Sequence, residues 1–463
     1  MTGCTMRARL GARIGVALGA LFLTAAGSPL EPNTEILKSW LSTFNSGDSE
    51  GLETFQQRYL GDSDIRFARD SREESGGFDL IRIEADDPLK LTALLRERNF
   101  PSTWRLTIAR EDVNAPKLKT LRYEALPVSQ SEALAALTGF ADRLAAADEF
   151  SGVVAISQHG QSLLARAWGL ADREHRTPVR LDTPFLFASQ GKMFTAVAVF
   201  QLVEKGRVSL DDPIGKYLTD YPNAEIARKV TVRELLGHQG GTGDMGVLEP
   251  GDADNRARVH SIDDIIKLNG SRGPAFEPGT RVEYSNYGYV LLGALVQRVT
   301  GEAYYDYVER HIFRVAGMAH TSYPRRENMR RVAVGYTSDD GKPLHPSTDW
   351  LPWRGTPAGG GVSTAEDMLC FAAALNAGKL ISPEMLAIAT TRQPHAHGFA
   401  YGFISSAVDG FPYWGHGGGA PGNSLVLDYY PVTDTTFVCM SNRDPIVCDR
   451  LAFNYLFRAP RTP

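Results

Sequence analysis

The apolar positions between residues 31 and 127 first follow a helical spacing and then alternate as in strands. The apolar face of the first predicted helix consists of Ile36, Leu37, Trp40, Leu41 and Phe44. A second helix is predicted over residues 52–60. The strand-like stretches that follow are Phe78 to Glu84, Leu89 to Glu97, Trp104 to Arg110 and Lys117 to Tyr123. This order predicts a small α+β module in which an antiparallel sheet curves around a helix.

In general shape this N-terminal module resembles cystatin-like and nuclear-transport-factor-like modules. A cone-shaped module of this kind can hold a small ligand, and the alternative that we favour is a spacer or docking role. Residues 31–127 contain no recognisable catalytic constellation. The sequence therefore leaves the role of this module open.

From Ser131 onward the pattern predicts a second, larger domain over residues 131–463. A helix from Ser131 to Ala147 opens it, the middle third is mostly helical, and a final helix runs from about Asp444 to Phe457. The predicted strands are Gly152 to Gln158, Ser162 to Trp168, Tyr413 to His416, Ser424 to Tyr430 and Thr435 to Ser441. Strands at both ends with helices between them predict one antiparallel sheet built from the two ends of the domain and covered by helices.

Composition changes this picture at the N-terminus. The chain has 463 residues, 43% of them hydrophobic and 22% charged, which fits two globular domains. Arg7, Arg9 and Arg13 precede an uncharged apolar stretch from Ile14 to Ala26, which predicts an export signal over residues 1–28 and a periplasmic or secreted protein. An uncleaved membrane anchor is the alternative. After cleavage we expect no stable membrane span, and the net charge of −5 makes nucleic acid an unexpected partner.

The cysteines and histidines predict neither a metal site nor a cofactor. Cys439 and Cys448 are the cysteines nearest to each other in sequence, and export would permit a disulfide between them. Because one lies in a strand pattern and the other in a helix pattern, we expect buried free thiols, with Cys370 as a third. His395 and His397 form a pair without a third ligand, so no metal is expected there.

The stretch from Phe185 to Phe200 contains the first candidate catalytic residues. It predicts a helix that begins near Ser189 and is apolar nearly all round, so we expect it to be buried between the sheet and the helical part. Ser189 and Lys192 are three positions apart and share one helix face. A buried amine can lose its proton near neutral pH, because desolvation penalises the charged form, and can then accept the serine proton. The alternative is a chance Ser-x-x-Lys tetrad on a solvated helix face.

Two later stretches supply further polar groups for the same cleft. Tyr284 and Asn286 are two positions apart on a predicted turn, where the phenol can relay a proton and the amide can hold a substrate carbonyl. His416 ends a predicted strand and is followed by a glycine run that reaches Gly419. Glycine at a strand edge lets a substrate approach closely and frees a backbone N–H for an oxyanion.

In this order, Ser189-x-x-Lys192, Tyr284-x-Asn286 and His416 with its glycines resemble the serine β-lactamase and penicillin-binding superfamily. Within it the chain resembles the class C branch, with its D-alanyl-D-alanine carboxypeptidase-like and esterase relatives. The resemblance covers Ser131 to the C-terminus. Further stretches that match the family pattern are Leu210-Asp-Asp-Pro213, Val232-Arg-Glu-Leu-Leu-Gly-His238, Phe276-Glu-Pro-Gly279, Gly301 and Gly359-Gly-Gly-Val-Ser-Thr364.

The resemblance implies an α+β, β-lactamase/transpeptidase-like fold and a role for each site residue. Ser189 would be the acylated nucleophile, Lys192 its base or proton partner, and Tyr284 a proton donor to the leaving group. Asn286 would orient the substrate, and the backbone N–H groups of Ser189 and Gly419 would form the oxyanion hole. His416 replaces the lysine of the β-lactamases and is mostly neutral at pH 7, so efficient β-lactam hydrolysis is not expected.

The sequence thus predicts an exported serine hydrolase that acts through a Ser189 acyl-enzyme on a small ester, amide or peptide. A peptidase or carboxypeptidase for D-amino-acid peptides, or a weak β-lactamase, is the alternative within this class. The alternative of another class is a non-catalytic ligand-binding or scaffold protein in which residues 31–127 carry the function.

Overall fold

The computed structural model describes residues 31–61, 64–100, 102–113, 115–245, 258–393, 398–408 and 410–461. The expected export signal over residues 1–28 and the pair His395 and His397 lie outside the described residues. In the described ranges, no helix combines the length and the apolar character that a membrane crossing requires.

The first part of the chain contains three helices followed by four strands. The elements are α1 (Asn33–Ser46), α2 (Ser49–Tyr59), α3 (Arg66–Ser75), β1 (Phe78–Asp87), β2 (Lys90–Glu97), β3 (Thr103–Ala109) and β4 (Thr120–Ala125). The strands form an antiparallel meander in sequential order, as the alternating pattern predicts. The sequence pattern does not predict α3, because this highly charged helix buries only Ala68 and Ser75.

Aromatic side chains pack α1 against this four-stranded sheet. The rings of Trp40 and Phe44 on α1 lie 4.7 Å apart, and Tyr123 on β4 lies 5.1 Å from Trp40. Phe78 and Trp104 join the same cluster at 5.1 Å from each other. The cluster belongs to a hydrophobic core distinct from those of the rest of the chain. The division at residues 31–127 and 131–463 and the likeness to cystatin-like modules stay predictions.

The remaining strands centre on one six-stranded antiparallel sheet. They are β5 (Gly152–Gln158), β6 (Gln161–Trp168), β7 (Leu170–Asp172), β8 (Thr177–Pro178), β9 (Phe185–Leu186), β10 (Tyr336–Thr337), β11 (His345–Pro346), β12 (Val362–Ser363), β13 (Ile404–Val408), β14 (Phe411–Ala420), β15 (Asn423–Tyr430) and β16 (Thr435–Ser441). The sheet order is β13-β14-β15-β16-β5-β6. Pairing of β16 with β5 joins the two ends of the predicted domain, which confirms the predicted sheet.

Helices cover both faces of this sheet. The helices of this part of the chain are α4 (Gln130–Ala146), α5 (Gly191–Glu204), α6 (Ala224–Lys229), α7 (Val232–Leu236), α8 (Ile262–Asn269), α9 (Asn286–Thr300), α10 (Tyr304–Val308), α11 (Arg314–Ala316), α12 (Ala365–Asn376), α13 (Pro383–Ala389) and α14 (Val447–Arg458), of which α4 and α14 contact one face of the sheet and α12 the other. Successive strand residues point to opposite faces. Ile156 accordingly packs in the core of α4 and α14, and Ala155 in the core that contains α5.

Helix α5 is buried over nearly its whole length, as its apolar sequence predicts. Residues 191–202 are all buried, including Lys192. Ring contacts on several sides hold it, since Phe194 lies 5.1 Å from Phe313 and 4.8 Å from Phe371. The end of α5 that follows Ser189 is therefore fixed by packing.

The expectation of free thiols is wrong for two of the three cysteines. Cys439 on β16 and Cys448 on α14 form a disulfide, with their Cα atoms 5.5 Å apart. Residues 442–446 turn the chain back so that α14 packs on β15 and β16. This turn brings a strand cysteine beside a helix cysteine. Cys370 is free and half-buried.

Candidate active site

Ser189 lies in a tight turn at the entrance to α5. Residues Ala188–Gln190 form a short 3₁₀ turn that continues into the helix. Ala188 has φ of +37°, an unfavourable value for a residue with a side chain. The turn presents the Ser189 hydroxyl to two side chains. The Tyr284 hydroxyl donates a hydrogen bond to Ser189 Oγ at 2.8 Å, and Lys192 Nζ lies 3.4 Å from the same oxygen.

The Lys192 amine is buried and has three oxygen neighbours. Besides Ser189 Oγ, it donates to Asn286 Oδ1 at 2.7 Å and to the Ala358 carbonyl at 3.0 Å. Burial lowers the pKa of Lys192 to about 7, although the negative charge of Asp244 raises it in part. A neutral amine has two N–H groups and one lone pair. With both N–H groups donated to Asn286 and Ala358, the lone pair is left for the Ser189 proton.

Tyr284 and Asn286 come from the turn that leads into α9. The Ser285 hydroxyl caps this helix by accepting from the Gly288 N–H at 2.9 Å, and it donates to the Gly243 carbonyl at 2.6 Å. The capped turn therefore places Tyr284 and Asn286, which flank Ser285, in the site. Burial raises the pKa of Tyr284 to about 12, so its phenol keeps its proton at neutral pH.

Asp244 is a site residue that sequence reasoning missed. Its carboxylate accepts from the backbone N–H groups of Asn286 at 2.8 Å and Tyr287 at 3.2 Å, and from the Asn286 side-chain amide at 3.2 Å. Because the Asn286 NH₂ group is bound to Asp244, its Oδ1 atom faces Lys192. The signal in the sequence was weak: Asp244 only ends a glycine-rich run, Gly240-Gly-Thr-Gly-Asp244.

His238 supports Tyr284 from behind. It has a left-handed φ of +59°, and its Nδ1 accepts from the Ser285 N–H at 3.2 Å. Its ring lies 4.6 Å from the Tyr284 ring. Burial, followed by the charge of Lys192, lowers the pKa of His238 well below its usual value. His238 is therefore a neutral packing partner at neutral pH. In the sequence, His238 stands out only as the last residue of the stretch from Val232 to His238 that matches the family pattern.

His416 lies on β14 and is also buried. Its Nδ1 forms a short hydrogen bond with the Gly417 carbonyl, and the Gln190 side-chain amide donates to the His416 carbonyl at 3.2 Å. Burial, and then the charge of Lys192, lower the pKa of His416 to about 4. The structure therefore places an uncharged imidazole where the β-lactamase pattern has a lysine.

The glycines after His416 continue β14 along the Ser189 turn. Strand β13 pairs with β14 only as far as Gly415, and from His416 to Ala420 the register pairs β14 with β15. A Cβ atom at Gly418 would lie 3.1 Å from the Ala188 Cβ and 3.3 Å from the Phe187 carbonyl, so this strand approaches the turn closely. Gly419 is the next residue along, opposite Ser424. Its part in an oxyanion hole stays a prediction.

A glycine loop holds the Ser189 turn from the other side. Gly359 has φ of +145°, and a Cβ atom there would lie 1.9 Å from the Ala188 carbonyl oxygen. The Gly360 N–H donates to that same carbonyl at 3.2 Å, and the Phe187 N–H donates to the Gly361 carbonyl at 2.9 Å. Ala358, whose carbonyl binds Lys192, precedes the loop. Only glycine allows this approach, which explains the glycine run in the sequence.

The fold and this cluster of serine, lysine and tyrosine define a serine hydrolase. The chain belongs to the Beta-lactamase family, whose model matches residues 139–457. This match confirms the resemblance on which the sequence prediction rested.

A putative penicillin-binding protein, an esterase and a D-amino acid amidase are similar to this chain in sequence or in structure. The chain is 33% identical over 236 residues to the putative penicillin-binding protein PbpX of Bacillus subtilis, a match over 50% of this chain and 56% of that protein. It is 29% identical over 298 residues to esterase EstB of Burkholderia gladioli, over 56% and 76% of the two chains. A crystal structure of a D-amino acid amidase from Ochrobactrum anthropi, complexed with L-phenylalanine amide, superposes with a TM-score of 0.61 at 26% identity, over 70% of this chain and 98% of that one.

Proposed function

We propose that this protein hydrolyses a small ester or peptide-like amide through an acyl-enzyme on Ser189. The observation that carries the proposal is the contact of Ser189 Oγ with a protonated phenol at 2.8 Å and with a lysine amine of lowered pKa at 3.4 Å. A nucleophile, a base and an acid thus meet at one oxygen. The esterase and the amidase among the similar proteins support both substrate classes.

We assign both halves of the reaction, acylation of Ser189 and hydrolysis of the acyl-enzyme, to this set of contacts. The neutral Lys192 amine takes the Ser189 proton while Oγ attacks the substrate carbonyl carbon. When the bond to the leaving group breaks, Tyr284 gives its proton to the leaving oxygen or nitrogen, and the Lys192 ammonium restores the proton of Tyr284. Water then attacks the acyl-enzyme and loses a proton to the same network, which releases the acid and regenerates Ser189. Backbone N–H groups of Ser189 and Gly419 would stabilise the oxyanion in both steps.

The neutral charge of the His416 ring favours substrates that have no carboxylate next to it. With a pKa of about 4 the ring is neutral at pH 7, so it offers no fixed positive charge to a penicillin or to a free peptide C-terminus. An ester or an amide needs no such charge. We therefore place ester and amide hydrolysis ahead of carboxypeptidase and β-lactamase activity.

We also propose that the protein is exported to the periplasm or secreted. The Cys439–Cys448 disulfide supports this, since disulfides persist in oxidising compartments. Fractionation of the producing cells tests the proposal, and recovery of the protein in the cytoplasm with an intact N-terminus would contradict it.

Intact-mass measurement tests the proposed nucleophile. Wild type, Ser189→Ala and the control Ser382→Ala are exposed briefly to 4-nitrophenyl butyrate and, separately, to benzylpenicillin. Ser382 caps α13 outside the site, so its removal controls for the loss of a serine hydroxyl. We expect an acyl adduct or turnover with the ester for wild type and Ser382→Ala, and neither for Ser189→Ala.

The outcomes separate the alternatives. An adduct that persists only with penicillin favours a penicillin-binding protein over an esterase. Ester hydrolysis by Ser189→Ala at the wild-type rate would overturn the assignment of the nucleophile. Absence of both adduct and turnover in wild type would favour the non-catalytic reading, in which residues 31–127 carry the function.

A further inference from the structure

A cavity of about 360 Å³ lies between the helices and the sheet of the N-terminal part, far in sequence from Ser189. Helices α1 to α3 and strand β4 supply most of its wall, and α14 adds Phe457. Its volume falls within the roughly 300–1,000 Å³ of small-molecule sites in proteins. The cavity is therefore large enough for a compound of a few fused or linked rings.

Aromatic side chains dominate the wall. The five that line the cavity are Trp40, Phe55, Phe67, Tyr123 and Phe457. The polar residues of the wall are Gln56, Thr120, Arg122 and Glu124, and the two charged ones, Arg122 and Glu124, form an ion pair with each other. The lining thus carries no net charge. Neutral aromatic compounds fit such a lining best, because ring faces and edges attract one another. The charges of the lining are paired with each other, so a bound compound needs no charge of its own.

One side chain of the wall is incompletely covered. Phe67 lies 5.5 Å from Tyr123 but remains 57% exposed, although it is one of the most apolar residue types. A ligand in the cavity that packs against Phe67 would cover this ring.

We propose that this cavity binds a small neutral aromatic molecule. The site differs from the Ser189 cleft in location and lining, so the proposal does not depend on the proposed hydrolysis. Phe457 connects it to the rest of the protein, because the next residue, Arg458, is bound by Glu97 of β2 at 2.8 and 2.9 Å. Ligand in the cavity would contact both parts of the chain and hold them together, which raises the melting temperature.

Fluorescence titration of the full chain with N-phenyl-1-naphthylamine, a neutral aromatic probe, tests this proposal. We expect saturable binding of one probe per chain, with the same affinity for Ser189→Ala. Leu121→Trp should fill the cavity, since Leu121 lies on the same face of β4 as Tyr123. It should weaken binding about tenfold or more. The matched control is Leu80→Trp on exposed β1, which should bind like wild type.

Phe67→Gln gives a second variant that does not alter packing in the core, since Phe67 is mostly exposed. It should also weaken binding, while the melting temperature without probe stays near that of wild type. Absence of saturable binding to wild type, or equal affinities of Leu121→Trp, Phe67→Gln and Leu80→Trp, would overturn the proposal. Loss of probe binding in Ser189→Ala alone would place the probe in the catalytic cleft and overturn it as well.

Discussion

Two opposing influences set the charge of the Lys192 amine. Burial on α5 lowers its pKa, and the carboxylate of Asp244 raises it, with a result of about 7. Below this pH the amine is an ammonium and cannot accept the Ser189 proton, and above it the lone pair is available. The rate of acylation, measured as kcat/KM, should therefore rise with pH through about 7. It should then stay level until Tyr284 begins to ionise near pH 12.

Asp244→Asn should move this rise in kcat/KM to lower pH, because it removes the negative charge that favours the ammonium form of Lys192. It should also lower the plateau about tenfold, since the Asn286 amide loses its carboxylate partner and no longer holds Oδ1 toward Lys192. The measurement is the pH profile of kcat/KM with an activated ester. Asp263→Asn on α8 removes an equal charge that pairs with Arg298, and should leave the profile unchanged. An upward shift for Asp244→Asn would contradict the electrostatic explanation.

The spacing of Ser189 and Lys192 predicts that their side chains lie close together, and in the structure Lys192 Nζ and the Tyr284 hydroxyl both contact Ser189 Oγ. Spacing could not predict the meeting with Tyr284, which is 95 positions away and was joined to the pair by the family resemblance. The partners that complete the network were not predictable in this way. Asp244 acts mainly on backbone N–H groups, and Ala358 contributes a carbonyl that any residue possesses. Such contacts depend on how loops meet in space, and the residue type carries little information about them.

At the scale of elements, the site depends on the close approach of three backbone segments. The Ser189 turn lies between strand β14 and the loop that contains Gly359, and side chains at the contact points would separate them. The left-handed turn at Ala188 persists because both neighbours hold it. The catalytic serine is thus positioned by backbone packing more than by its own side chain.

Gly359→Ala tests this dependence. The added Cβ would meet the Ala188 carbonyl oxygen, so the Ser189 turn must shift. We expect kcat/KM to fall about 10²-fold, as for other small displacements of a nucleophile. Gly341→Ala is the matched control, because Gly341 also has a positive φ, +76°, but open space around it. It should cost about 1–2 kcal/mol of stability from backbone strain and leave the rate unchanged. Equal rates for the two variants would contradict the packing argument.

Periodicity predicted the elements that bury a regular apolar face and failed for those that do not. The alternating strand β3, the mostly buried strands β15 and β16 and the apolar helix α5 lie close to their predicted bounds. Helix α3 is mostly charged, and β13 is short and polar at its centre, so neither has a readable pattern. The disulfide was missed for a related reason. Contact between β16 and α14 is a tertiary feature, set by the turn at residues 442–446.

At the scale of the whole molecule, a buried ion pair joins the N-terminal part to the last helix. The Arg458 side chain is fully buried, and it donates to both carboxylate oxygens of Glu97 and to Glu74. The Trp104 indole N–H donates to Glu97 as well, at 2.8 Å. Each charge is thus compensated only when α14, α3 and β2 are all in place. The pair contributes little net stability by itself, and it makes correct docking of the two parts a condition for folding.

Arg458→Met should therefore be strongly destabilising, because it leaves Glu97 buried and charged without its partner. We expect a loss of about 3–5 kcal/mol from the free energy of the first unfolding transition. Urea unfolding followed by tryptophan fluorescence measures it, since Trp104 contacts this pair and Trp40 lies in the same hydrophobic core. Arg98→Met is the control in the N-terminal part of the chain. Arg98 pairs with Asp79 at the surface, where the two side chains are 42% and 60% exposed, so its loss should cost only about 0–1 kcal/mol.

A second substitution distinguishes an uncompensated charge from lost packing. Adding Glu97→Gln to Arg458→Met removes the buried charge and keeps an oxygen for the Trp104 N–H, so part of the lost stability should return. The hydrolysis rate of each variant in the absence of urea should match wild type, because the network lies outside the Ser189 site. If Arg458→Met were no more destabilising than Arg98→Met, the two parts of the chain would be held together by apolar packing around Phe457 and not by this ion pair.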